Sequence, residues 1–148
     1  MAAIFEAGNV RFLYPENWQL ERDESVEGWS VAVQSPGTAF MFVSVYPERP
    51  PVKRVLDTTI SALREDYPDL EAEDAVEQIA YHRAVGHDIQ FFSMDLTNTC
   101  WVRSFRTPQV TVLILCQTSD LELDFVEPVF RAIRASFEMV EGETAVGD

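Results

Sequence analysis

His82 and His87 are the only imidazoles in the sequence, and so the only side chains whose ordinary pKa lies near neutrality. They flank Arg83-Ala-Val-Gly86, which reads as a turn, and with Asp88 and a cysteine they could be assembled on paper into a nucleophilic site. Turn histidines commonly face solvent, however, and nothing around them resembles a nucleophile elbow or a cysteine-protease signature. No catalytic residue is expected. Cys100 and Cys116, taken with the two histidines, lack the paired spacing of a zinc site. Asp120-Leu-Glu-Leu-Asp124 imitates the alternating carboxylates of a calcium loop, but Phe125 stands where that loop requires glycine. The six glycines form no phosphate-cradling array, so neither a metal nor a cofactor is expected.

Charge narrows the partners. The 148-residue chain carries 11 basic and 25 acidic groups, a formal net charge of -14. A nucleic-acid backbone or an anionic lipid surface would repel it, which argues against both as partners. Acidic side chains thicken over residues 65–77, over 120–127 and in the tail; they read as solvated surface, with a docking patch for a basic partner as the sharper alternative. The basic segments 49–54 and 103–106 read as surface charge pairing. No stretch approaches the roughly 18 apolar residues of a membrane span, and the first residues show no basic region followed by an apolar run, so the expected address is cytoplasmic without membrane insertion. Cys100 and Cys116 fall on neighbouring strands and are expected to be reduced packing residues.

The elements that must position any site follow from periodicity. At 47% hydrophobic content the chain can build a core, and its length fits one domain. Val10, Phe12 and Tyr14 alternate, Pro15-Glu-Asn17 supplies turn residues, and Trp18 and Leu20 resume the alternation, which predicts an opening hairpin. Trp29, Val31 and Val33 mark another strand. Residues 39–46 are apolar on both faces, as in an interior strand. From Val52 the period changes: Val52, Leu56, Ile60, Leu63 and Tyr67 form a helical stripe that Pro68 ends. Residues 70–80 read as an edge strand. Runs at 85–96, 99–105 and 110–118, with turns at Thr97-Asn98 and Pro108-Gln109, predict an antiparallel meander, since such short links cannot carry a parallel crossover. Ser119-Asp-Leu-Glu122 has capping-box spacing, and Val126, Val129, Phe130, Ile133 and Phe137 then recur at helical intervals, with Pro128 an awkward guest. The expected fold class is α+β, a layered sandwich of a mainly antiparallel sheet and two principal helices. It forms one domain over residues 1–138, with a flexible acidic tail over 139–148.

Phe12-Leu-Tyr-Pro-Glu-Asn-Trp18, the strand-rich middle with one helix, and the closing Arg134-Ala-Ser-Phe137 together resemble the PsbP-like superfamily. Tyr14 and Trp18 are expected to seat the opening strands in the core. The resemblance implies a scaffold shared by extrinsic photosystem II subunits, a nuclear Ran-binding release factor, DcrB-like proteins and cytoplasmic chaperones of type VI secretion effectors. It implies action by binding, and it transfers no functional residue, because the matching motif is one of fold.

The functional expectation is therefore a non-catalytic protein-binding module, a chaperone or adaptor. Phe40, Phe42, Phe91, Phe92, Trp101 and Phe105 are more strand aromatics than two helices should cover, so they are the candidate binding surface for a protein partner or for a second copy in a homodimer. A small-molecule pocket between helix and sheet is the alternative, and an enzyme ranks third.

Overall fold

The computed structural model describes residues 2–25 and 27–140. In chain order the elements are β1 (Ala2–Ala7), β2 (Val10–Pro15), β3 (Gln19–Ser25), β4 (Gly28–Gln34), β5 (Phe40–Tyr46), α1 (Val52–Asp66), β6 (Glu71–Ile79), β7 (His82–Ser93), β8 (Leu96–Arg106), β9 (Thr111–Ser119), α2 (Leu123–Ala135) and β10 (Glu138–Met139). Strands β3 to β9 form a seven-stranded antiparallel sheet in the order β3-β4-β5-β9-β8-β7-β6, and β1, β2 and β10 form a separate three-stranded sheet. The α+β sandwich with two helices is thus the observed architecture.

Alternation along each strand divides the large sheet into two faces. Val31, Val33, Met41, Val43, Ile114, Cys116, Trp101 and Phe105 point to one face, where α2 and the small sheet close over them. There Phe12 stacks between Phe5 and Phe137, with ring centroids 5.1 and 4.8 Å away. On the opposite face α1 lays Val55 and Leu56 over Ile89, Phe91, Cys100, Val102 and Leu113. The helix covers the β7–β8–β9 side of this face, and Phe40 and Phe42 on β5 stay half-buried beyond it.

Several local expectations change. The opening hairpin does not form: β2 pairs with β1 in the small sheet, whereas β3 pairs with β4 in the large one. Trp18 is nonetheless buried at the crossing between the sheets, as its size requires. The β1–β2 link is the two-residue turn Gly8-Asn9, with Gly8 at φ 56, a conformation that glycine adopts without steric cost. The turns flanking β7 lie at Ala80-Tyr81 and Met94-Asp95, so Arg83–Gly86 and Thr97–Asn98 are strand. All four turn residues have positive φ, the demand of a type I′ hairpin, although none is glycine or asparagine. Asp95 alone among them is a residue that favours turns.

The capping box also fails. Ser119 ends β9, Glu122 is the cap residue without a side-chain cap bond, and its carboxylate instead accepts from the Thr38 amide and hydroxyl at 2.9 and 2.7 Å. This fixes the β4–β5 loop against the start of α2. Pro128 lies inside α2. The chain stays paired past Phe137, where Glu138 and Met139 add to β2 and the Val140 amide donates to the Asn9 carbonyl at 2.7 Å. The rest of the acidic tail, 141–148, lies outside the described residues.

Candidate functional site

The six aromatics expected to form one apolar surface do not do so. Phe91, Trp101 and Phe105 are buried, Phe40 and Phe42 are half-buried, and Phe92 alone is exposed, at 76%. The expectation counted only two helices as cover, whereas the three-stranded sheet adds a third element on the α2 face. Trp101 and Phe105 lie under that combined cover, and Phe91 stacks on Tyr67 with centroids 4.0 Å apart.

His82 and His87 are five residues apart on β7 and point to opposite faces of the sheet. His82 stacks on Phe105 at 5.2 Å, and its Nδ1 is 2.7 Å from the Ala80 carbonyl oxygen. His87 Nδ1 lies 3.3 Å from an Asp74 carboxylate oxygen. No cleft gathers the two imidazoles.

The cysteines sit on adjacent strands as expected, but Trp101 rather than Cys100 is opposite Cys116, which places the thiols on different faces. Both are free and buried. Burial pushes the Cys116 thiol up to about 11 against the opposing pull of Arg134, and burial pushes Cys100 up as well. A thiolate-selective reagent is therefore expected to label neither thiol in the folded protein at neutral pH, and both after denaturation. Prompt labelling of either in the native protein would contradict this burial.

Charge inside the fold was missed altogether. The sequence pattern places Arg103 in surface pairing and Glu77 in a solvated acidic run, yet Arg103 and Arg134 are buried and share Glu77. Arg103 Nε donates to Glu77 Oε1 at 2.8 Å and Arg134 Nε to Oε2 at 2.9 Å; Arg103 also reaches Asp88 at 2.8 Å. Burial raises the Glu77 carboxyl, and the two guanidiniums more than reverse this, holding it below its ordinary value. The cluster ties α2 to β6 and β8. One signal was available: Arg103 is in phase with Trp101 and Phe105, a charge on the buried side of an alternating strand. Gly86 stands opposite Arg103, where a β carbon would collide with the Val102 carbonyl oxygen, so the strands approach there as only glycine allows.

What lies open is the end of the molecule at the β7–β8 hairpin. Among the described residues eight large hydrophobic side chains are exposed, and four belong to this end: Phe92, Met94, Leu121 and Phe125, from 76% to 92% exposed. Phe92 is opposite Thr97, the Thr97 carbonyl accepts from the Asp120 amide at 2.8 Å, and Leu121 and the first turn of α2 follow at once. Two open grooves meet beside them. One, of about 350 Å³, runs between the loop after α1 and β7, past Tyr67, Leu70, Phe91 and Phe92. The other, of about 660 Å³, runs between the start of α2 and strands β6–β8, past Thr99, Trp101 and Leu123. They share the cross-strand pair Glu71 and Gln90. Such a surface can hold a segment of another chain.

No family model matches the chain, and no curated protein matches it. Solved structures do. A protein of Bacteroides thetaiotaomicron superposes with a TM-score of 0.62 at 13% identity over 91% of this chain, which spans about half (47%) of that longer one. LpqN of Mycobacterium tuberculosis, described as involved in cell envelope biogenesis, gives 0.61 at 11% identity over 95% of this chain and 91% of its own. The cyanobacterial PsbP of Synechocystis, CyanoP, gives 0.62 at 13% identity over 93% of this chain and 92% of its own. At such identities the likeness carries the fold and nothing further, and the fold it establishes for this chain is the PsbP-like one.

Proposed function

We propose that the chain is a non-catalytic protein-binding module, a cytoplasmic chaperone or adaptor, that holds a segment of a partner at the β7–β8 hairpin end. One observation supports this reading most: Phe92, Met94, Leu121 and Phe125 leave apolar area in water at one end of the fold, beside two adjoining grooves. The hairpin tip adds a second reason. Met94 holds left-handed backbone at about 1–2 kcal/mol, where an Asn-Gly turn would avoid the strain. An exposed, strained tip that presents a methionine fits a surface kept for contact. A small-molecule pocket between helix and sheet finds less support, because the concavities beside α1 and α2 are open grooves.

Replacing Phe92, Met94, Leu121 and Phe125 together with serine tests the reading. All four are exposed, so stability should stay within about 0.5 kcal/mol per site. Tagged wild-type protein is expected to capture a partner from its native host that the quadruple variant does not. Recovery of the same proteins by both would refute binding at this end. Fractionation of the host checks the cytoplasmic address, and sedimentation shows whether a second copy is the partner.

A further inference from the structure

We infer that the partner segment is extended and basic, and that its arginine or lysine side chains seat in the trough formed by the two adjoining grooves. This rests on the binding reading above and names the chemistry of the partner. The trough passes from the α1 face to the α2 face around the start of β6: Tyr67 and Leu70 belong to the core under α1, Trp101 and Leu123 to the core under α2, and Glu71 with Gln90 joins the halves.

Its lining is one-sided in charge. Asp66, Asp69, Glu71, Glu73, Asp88 and Glu127 line it, and no lysine or arginine does. Arg103 answers Asp88 at 2.8 Å and Arg131 answers Glu127 at 3.3 Å. Among the described residues, the other four carboxylates have no basic side chain within 4.0 Å. Low-dielectric walls focus such a field, and Tyr67, Phe92 and Trp101 line the same trough, so a cation there meets carboxylates beside aromatic side chains.

Two further features select the occupant. Strand β6 is an edge that pairs only with β7, so a row of its backbone groups is open to an extended chain. The same edge reads Glu71-Ala-Glu-Asp74, which repels another copy of this protein, at -14 a molecule, and suits a cationic strand. The occupant that complements carboxylates, an open strand edge and exposed apolar side chains at once is a segment alternating basic and apolar residues.

The probe is a capped peptide of about nine residues alternating Arg and Leu, about 30 Å long when extended at about 3.3 Å per residue. Its control carries Glu in place of Arg. Binding is measured by calorimetry at about 50 mM salt, where screening is weak, to wild-type protein and two variants. Asp69→Asn/Glu71→Gln/Glu73→Gln removes three of the trough's four carboxylates left unpaired among the described residues. Glu16→Gln/Glu21→Gln/Asp23→Asn removes as many exposed charges at the β3 side of the large sheet. We expect saturable binding of the Arg peptide, weakened about tenfold or more by the trough variant and less than about twofold by the β3-side variant, with no binding of the Glu peptide. Equal weakening by both variants would mean diffuse attraction to an acidic protein and would overturn the inference, as would equal binding of the Glu peptide or none of the Arg peptide. Should the trough variant still capture the native partner that the four-serine variant loses, the basic-segment inference alone fails and the binding reading stands.

Discussion

Glu77→Ala should lower the unfolding free energy by about 3 kcal/mol, the low end of what removing one partner from a buried ion cluster costs, because Glu77 is half-buried and Arg103 keeps Asp88. The loss comes less from the missing bonds than from what is left behind, since Arg103 and Arg134 would remain buried without the carboxylate that both contact. Chemical denaturation measures it, and a loss under about 1 kcal/mol would mean that water reaches the guanidiniums and the cluster is not sealed. Replacing Glu77, Arg103 and Arg134 together with methionine should recover most of the loss, because buried ion clusters often exchange for apolar side chains at little net cost. The cluster also fixes a pH dependence. The Glu77 carboxyl is held below its ordinary value of 4.5, so its stabilisation is fully present above that pH and is lost as pH falls through the lowered folded value. Melting temperature plotted against pH below about 4.5 should accordingly be less steep in Glu77→Gln than in wild type.

Phe130→Ala is expected to cost a similar amount, about 3–5 kcal/mol, by a different mechanism. Phe130 is fully buried and touches Trp18 at 5.8 Å and Trp101 at 5.7 Å between centroids, both edge-on. Trp101 belongs to the large sheet, Trp18 to the segment that links the two sheets, and Phe130 to α2, so truncation opens a cavity where three parts of the fold meet. Near-ultraviolet circular dichroism should lose tryptophan intensity while the far-ultraviolet spectrum holds. A cost below about 1.5 kcal/mol would show that the site collapses and that α2 is less tightly docked than its burial implies.

The sequence was most legible where one periodicity ran without interruption. The stripe from Val52 to Tyr67 marked α1 to within a residue of its observed end, and the edge strand, the meander and the two-helix sandwich followed from alternation and link length. Boundaries failed where turn chemistry was silent. Ala80, Tyr81 and Met94 turn although their side chains resist positive φ, while residues better suited to turns stand nearby in strands. The opening hairpin failed for another reason: Pro15-Glu-Asn17 is a turn in sequence, but here it carries the chain from one sheet into another.

Composition and pattern by themselves determined that this chain folds as an antiparallel α+β layer structure and carries a net charge of -14, because these properties depend on local periodicity and on summed charge. Which aromatics are covered, which charged groups are buried and which grooves adjoin were decided only by the tertiary structure. Those outcomes depend on contacts between residues far apart in sequence: Glu77 with Arg134, Thr97 with Asp120, and Phe12 of the small sheet with Phe137. Alternation states which face a side chain points to; only the assembled layers state what, if anything, lies above that face.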